Sequence, residues 1–397
     1  MRSLPKQDRL AIFSLSAGHF INDAYSNFLG PLLPLLVAKF HLTITQAGWL
    51  AAILVFSSSF TQPFYGYISD RYLKRLFAVF SPLVTAVFMS CLGLASGYWS
   101  LAAILFCGGV GIASFHPQSA AMTALASGHR KGLGMSIFVT SGSLGYSLGP
   151  IIITYAVAWW GLEGSFVVML PGMVVFALLY FLVPPLEHSS RSSVPQRLRD
   201  ALLPVWWPLL LLYLLVVIRS SVQMCFVNFL PLYLSGQGHS SLFAGKITTL
   251  FLFFGAVGGF SGGALSERFG RRNVIAFSML FSTPFLIGFL WTSGLVSYTL
   301  LALGGLILLS TVPVNVVMAQ ELVPRGASTV SALMMGFAWG MGGSLVPAVG
   351  KIADHFGLEQ ALLAVVLLPL GGGFLSLGLY RHLRTGEELT APVASQR

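Results

Sequence analysis

The sequence predicts an all-α membrane protein whose twelve transmembrane helices form two pseudo-symmetric halves of six. Composition, the length of its apolar runs and an internal repeat predict it. Of 397 residues, 55% are hydrophobic and only 9% charged, with a mean hydropathy of +0.82; an ordinary soluble domain carries roughly 25% charge. Apolar runs of roughly 20 residues recur along the chain, each able to cross a ~30 Å hydrocarbon core as helix at about 1.5 Å per residue. Transmembrane β-strands would alternate apolar and polar residues, and these runs do not.

The expected spans cover approximately 10–38, 45–68, 76–97, 101–126, 133–158, 164–186, 204–234, 243–265, 274–294, 297–322, 328–352 and 359–380. The first lacks the short apolar region and small-residue cleavage site of a signal peptide, so it is expected to be a retained helix. Orientation follows from the basic residues. With a cytoplasmic N-terminus, the inward loops collect Arg2, Lys6, Arg9; Arg71, Lys74, Arg75; Arg130, Lys131; Arg191, Arg197, Arg199; Arg268, Arg271, Arg272; Arg325; and Arg381, Arg384, Arg397. Lys39, Lys246 and Lys351 remain near the outer face and Arg219 within a span. The positive-inside rule then places both termini in the cytoplasm. That bias accounts for the net charge of +10 without a nucleic-acid partner. Cys91, Cys107 and Cys225 lie within spans, lack metal-ligand or disulfide spacing, and read as small packing residues.

Two inward loops match, "GYISDRYLKR" from Gly66 and "GALSERFGRR" from Gly263. The offset of about 197 residues recurs between Pro117 and Pro313, between "SLGP" at Pro150 and "SLVP" at Pro347, and between two "GLE" triplets. The expected organisation is therefore a half at 1–186, a polar cytoplasmic linker at 187–203 and a second half at 204–397.

Parallel six-helix halves resemble the major facilitator superfamily. Gly66, Asp70, Arg71, Lys74 and Arg75 resemble its loop signature, and Gly263, Glu267, Arg268, Gly270, Arg271 and Arg272 its second copy. The resemblance implies that these contacts gate the cytoplasmic side. Glycine allows close helix packing, the acid pairs with a neighbouring helix, and the basic run holds the turn at the headgroups. "GYSLGP", with Gly145, Gly149 and Pro150 in the fifth span, resembles the G-x-x-x-G-P motif of drug-proton antiporters, although Ile152 and Ile153 replace the small residues usual after it. As a bare pattern it also serves ordinary helix packing.

Charge within a bilayer is costly, roughly 2.5 to 3.5 kcal/mol on insertion scales, so intramembrane ionisable groups mark sites. His19, Asn22, Asp23 and Asn27 lie in the first span, His116 and Gln118 in the fourth, Arg219, Gln223 and Asn228 in the seventh, and Asn315 in the tenth. In the resembled fold these four spans line the cavity. His19, Asn22 or Asp23, and Ser26 or Asn27 share one helix face by their spacing, as do Arg219, Gln223 and Phe226. Asp23 and Arg219 are 196 residues apart, which suggests a charge pair at matching depth: either a structural tie, or one broken by a proton on Asp23 or an anion on Arg219. His116, with Pro117 freeing the Ala113 carbonyl, is expected to face the cavity and hydrogen-bond substrate or relay a proton. Glu321 is expected to form a salt bridge with Arg268, Arg271 or Arg272 at an inner gate.

The blocks "GHFIND", "FHPQSAAM", "ASGHRKGLGMSIFVTSGSLGYSLGP", "AQELVPRG", "GFAWGMGG" and "IADH" resemble the fosmidomycin-resistance family of bacterial drug exporters. That resemblance implies a proton-driven exporter of small organic compounds in the bacterial inner membrane, and a monomer is expected from the fold because each chain contains both halves of a site. Arg219 and His116 would suit a phosphonate anion. Gln118 departs from the glutamate expected after His-Pro in the family's namesake, removing one possible proton acceptor. Import of an organic anion and a non-transporting sensor are the alternatives. The sequence shows no nucleophile-base motif, phosphate-binding loop or metal-ligand cluster, so neither enzymatic activity nor a cofactor is expected.

Overall fold

A computed structural model describes residues 4–68, 74–184 and 202–390. The side chains of Lys74, His129, Arg325, Ala327 and Ser328, and those from 377 on, lie outside that description, as does most of the predicted linker. The described residues fold into helices with no β-strand, and ten helices are long and apolar enough to cross a membrane.

The difference from twelve arises in two places. The first predicted span is broken into α1 (Lys6–Ser26) and α2 (Leu29–Phe40). Pro31 has no N–H to give the Asn27 carbonyl and its ring crowds that position, so the helix stops there. The side chain of Asn27 donates instead to the Tyr146 carbonyl, 2.8 Å away. The fifth and sixth predicted spans run together over Lys131–Leu182, interrupted at Gly161, whose φ of +73° is left-handed. This run contains α7 (Lys131–Gly164) and α8 (Met169–Leu182).

Three further helices of the first half matter for the site. These are α3 (Ile44–Val55), α5 (Lys74–Ser90) and α6 (Tyr98–Ala126), with the short α4 (Gln62–Ile68) before the first signature loop. The second half comprises α9 (Trp206–Gly236), α10 (Ser241–Phe269), α11 (Arg271–Trp291), α12 (Gly294–Leu309), α13 (Val312–Leu322), α14 (Ala327–Ala332), α15 (Ala338–Ser344), α16 (Val346–Phe356) and α17 (Leu358–Thr390). Outward-facing Phe260, Trp99 and Leu295 are mostly exposed, as suits helices solvated by lipid.

The chain forms two compact units. The first contains Met1–Ser192, Gln223–Ala256 and Gly343–Leu362; the second contains Ser193–Val222, Val257–Gly342 and Leu363–Arg397. The boundary therefore passes through α9 and α10, so the first unit draws on both sequence halves and the second unit on the linker and the second half.

In the first unit, α1 and α7 meet backbone to backbone. A Cβ added at Gly145 would stand 2.0 Å from the Phe20 carbonyl oxygen, and one at Gly149 would stand 2.3 Å from that of Ala24. No side chain fits there, so the G-x-x-x-G spacing has a packing reason in this protein. Leu15, Val79, Phe115, Phe138 and Leu179 close the apolar core beside it. Elsewhere in this unit α16 packs on α3. A Cβ at Gly48 would come 2.8 Å from Pro347 Cα, and one at Gly350 2.6 Å from the Ile44 carbonyl oxygen. The Asp354 carboxylate accepts from the Ile44 and Thr45 amides at 2.7 and 2.9 Å and from the Thr45 hydroxyl at 2.5 Å. It thereby satisfies otherwise orphaned donors at the positive end of α3.

The second unit has its own core of Leu212, Leu215, Ile275, Met279, Met318 and Met334. Gly258 and Gly262 of α10 bring its backbone against Leu306 and Ser310, where added Cβ atoms would stand 2.0 and 2.1 Å from the carbonyl oxygens. The repeat has a structural counterpart. A Cβ added at Gly66 would stand 3.7 Å from the Pro117 ring, and one at Gly263 would stand 3.8 Å from the Pro313 ring.

Candidate functional site

Three ionisable side chains converge in the first unit. His19 and Asp23 are one turn apart on α1, so their side chains share a face. The His19 Nε2 lies 3.2 Å from an Asp23 carboxylate oxygen, and His116 Nε2, from α6, lies 3.4 Å from the other. The two imidazoles meet edge to face with centroids 5.2 Å apart. His19 stacks on Phe138 of α7 at 4.1 Å. Gly142 gives the cluster its room: a Cβ there would come within 2.4 Å of His19 and 2.8 Å of Asp23.

The surroundings of His19 fix its chemistry. Its Nδ1 is 2.8 Å from the Phe138 carbonyl oxygen. A carbonyl only accepts, so Nδ1 carries a hydrogen and donates it. In the neutral ring Nε2 then presents a lone pair, and it points at a carboxylate oxygen, which is also an acceptor. Two facing acceptors need a cation between them, whether a proton or a metal ion. The cluster is thus built to hold positive charge within a membrane helix bundle.

The other predicted polar residues are placed separately. Asn22 is buried and accepts from the Thr85 hydroxyl at 2.8 Å. Gln118 is buried two residues beyond His116. Asn228 is also buried, and its amide donates to the Met224 carbonyl at 2.8 Å, one turn back on α9. Arg219 and Gln223 are buried on the same helix. Arg219 belongs to the second unit, where it donates to the Ser220 hydroxyl at 2.9 Å and lies 5.4 Å from the centroid of the Trp339 ring. Asn315 of α13 is 1% exposed, and neither atom of its amide has a hydrogen-bond partner among the described residues. The ion-pair partners found for Asp23 among the described residues are the two histidines. The expected Asp23–Arg219 pair would join residues of different units and stands as an expectation.

Of the predicted gating residues, Asp70 and Arg71 lie outside the described residues, as does the side chain of Lys74. Arg75 holds the end of α8, donating to the Val183 carbonyl at 2.8 Å and to that of Tyr180. In the second copy, Glu321 forms a two-pronged salt bridge with Arg271, at 2.6 Å to Nε and 2.5 Å to Nη2. This joins the loop signature to the end of α13 inside the second unit. Glu267, Arg268 and Gly270 are exposed beside it and Arg272 is half-buried. Gly145, Gly149 and Pro150 all belong to the buried face of α7.

Sequence spacing missed three contributors. Gly142 precedes the noticed glycines by one further turn and extends their stripe to the histidine. The Phe138 carbonyl carries no side-chain signal. Asp354 was visible only as part of a resembling block. Equally, linear spacing showed no metal-ligand cluster, because His116 comes from a distant helix; folded, one ligand atom from each of His19, Asp23 and His116 lies within 4.8 Å of the other two.

Two signature loops, a Gly-Pro correspondence repeated in each half and an all-helical membrane fold point one way, and the family model of the Major Facilitator Superfamily matches residues 15–347. The chain belongs to the major facilitator superfamily. It is accordingly a multi-pass membrane transporter and not an enzyme. This superfamily member is 32% identical over 366 residues to the uncharacterized MFS-type transporter YfnC of Bacillus subtilis (strain 168), with 89% of each chain covered. It is 30% identical over 370 residues to the fosmidomycin resistance protein of Escherichia coli (strain K12), with 90% of each covered. Among solved structures, a bacterial homolog of the human lysosomal transporter Spinster, inward-facing and unoccupied, superimposes with a TM-score of 0.79 at 15% identity, covering 95% of this chain and 98% of the other. At that identity the likeness concerns the major facilitator fold.

Proposed function

We propose that this protein is a proton-coupled secondary transporter that exports small organic compounds, fosmidomycin-like phosphonates among them, by alternating access across the bacterial inner membrane. The observation that carries this reading is the His19–Asp23–His116 cluster, in which a carboxylate between two imidazoles makes a cation site within membrane-spanning helices. A proton is the cation that such groups exchange most readily. The buried Arg219 supplies a guanidinium whose planar fork matches two oxygens of a phosphonate. Similarity to the fosmidomycin resistance protein supports export, as does 25% identity to multidrug resistance protein MdtG of Serratia proteamaculans (strain 568). Asp23 and the two histidines take the proton, and Arg219 takes the anionic group. The signature loops and the Arg271–Glu321 bridge serve the inner gate. Both termini lie in the cytoplasm and one chain is the working unit.

A second reading, uptake of an organic anion, is favoured by 26% identity to a probable 4-methylmuconolactone transporter of Cupriavidus pinatubonensis. A resistance assay separates the two. Wild type and Asp23→Asn are expressed at matched membrane levels in an efflux-deficient bacterium and challenged with a panel that includes fosmidomycin. Export predicts protection by wild type and loss of it in the variant. Sensitisation by wild type, with faster accumulation of the compound, would establish uptake instead.

A further inference from the structure

A proton is not the only cation that the cluster suits. We propose that His19 Nε2, one Asp23 oxygen and His116 Nε2 form a binding site for a divalent first-row transition cation, with Zn2+ the best suited. Four features of the geometry support this.

First, a tetrahedral ion with ligands at about 2.0 to 2.1 Å holds them roughly 3.3 to 3.4 Å apart. Each imidazole nitrogen already stands at about that distance from an Asp23 oxygen, His19 Nε2 at 3.2 Å from one and His116 Nε2 at 3.4 Å from the other, so a turn of the carboxylate brings one oxygen between them. The three ligand atoms lie within 4.8 Å of one another, so a modest side-chain adjustment closes the remaining edge. Second, the Phe138 carbonyl holds the hydrogen on Nδ1 of His19 at 2.8 Å. This is the outer-sphere contact that presents the Nε2 lone pair of a metal-binding histidine. Third, exposure falls stepwise through the cluster, from 27% for the His116 side chain to 16% for Asp23 and 10% for His19. A cation arriving from the His116 side therefore meets an accessible imidazole before the buried ligands. Fourth, Gly142 lets both α1 ligand side chains lie directly against α7, where a Cβ would stand 2.4 Å from His19 and 2.8 Å from Asp23.

Two imidazoles and one carboxylate select the cation. Mg2+ and Ca2+ prefer all-oxygen sites, whereas imidazole favours zinc, copper and nickel. Three protein ligands leave a fourth position for water or for an oxygen of an anionic solute. The binding does not depend on the transport reading. One consequence does rest on that reading: an ion held here occupies the atoms assigned to the proton and stops coupled transport.

The test is equilibrium binding of ZnCl2 to the purified full-length protein in lipid nanodiscs, with no gradient imposed. One saturable site is expected, with MgCl2 failing to compete. Asp23→Asn and His116→Ala should each weaken Zn2+ by about tenfold or more, which is the scale already reached when outer-sphere partners are lost. His355→Gln should leave it unchanged. X-ray absorption at the zinc edge of the wild type needs no variant and should show two imidazole ligands. Unchanged affinity in both ligand variants, or a zinc spectrum without histidine, would overturn the proposal. Failure of the transport reading would instead show as intact zinc binding without proton-linked flux.

Discussion

The buried polar groups of the two units are satisfied in different ways. In the first unit Asp23 sits between two imidazoles, one of them fixed by a backbone carbonyl, on a helix pinned by glycine contacts. In the second, Arg219 lies beside a serine and over an indole, and the Asn315 amide has no partner among the described residues. Asp23 and Arg219 occupy matching repeat positions, so the repeat reproduces backbone architecture without reproducing chemistry. The first region holds its charge by interactions already in place. The second keeps a buried amide, that of Asn315, without a partner among the described residues.

Substitutions can break or sharpen this contrast, and the largest effect should come from the backbone contact beneath the first site. Gly145→Val places carbon where the Phe20 carbonyl stands and should destabilise the protein by about 3 kcal/mol or more, read as a lower unfolding temperature and loss of the monodisperse detergent-solubilised species. Asp354→Ala removes three acceptor contacts at the start of α3 and should cost about 1 to 2 kcal/mol in the same assay. In the second unit, Asn315→Leu replaces an unsatisfied buried amide by an apolar side chain of similar size. It should raise stability by about 1 kcal/mol while weakening solute binding, measured by thermal unfolding and by ligand titration. Equal binding by the variant would remove Asn315 from the site. The smallest change is expected for Arg271→Lys, which loses the fork contact with a half-exposed Glu321. The cost should be about 0.5 kcal/mol and shrink further in high salt.

The sequence makes much of this legible because membranes impose coarse rules. Continuous apolar runs, basic loops and a 197-residue repeat lead directly to the helical transporter fold, and the Gly66–Pro117 and Gly263–Pro313 contacts are the repeat made physical. His19 and Asp23 were visible as one helix face. Their partnership with His116 was not, since residues 93 and 97 positions apart are joined only by the packing of α1 against α6. The break at Asn27 was hidden for a different reason: hydropathy is blind to it, and only the missing N–H of Pro31 explains it. The Phe138 carbonyl was illegible because a backbone acceptor is common to every residue.

The most direct test of the central claim, that the cluster on α1 and α6 couples solute movement to protons, is proton release from acidified everted membrane vesicles on addition of fosmidomycin. Wild type should give a drug-dependent rise in lumenal pH. Asp23→Asn should abolish that rise while the purified variant still binds the drug. A rise of the same size in Asp23→Asn would contradict the assignment and move coupling away from this cluster.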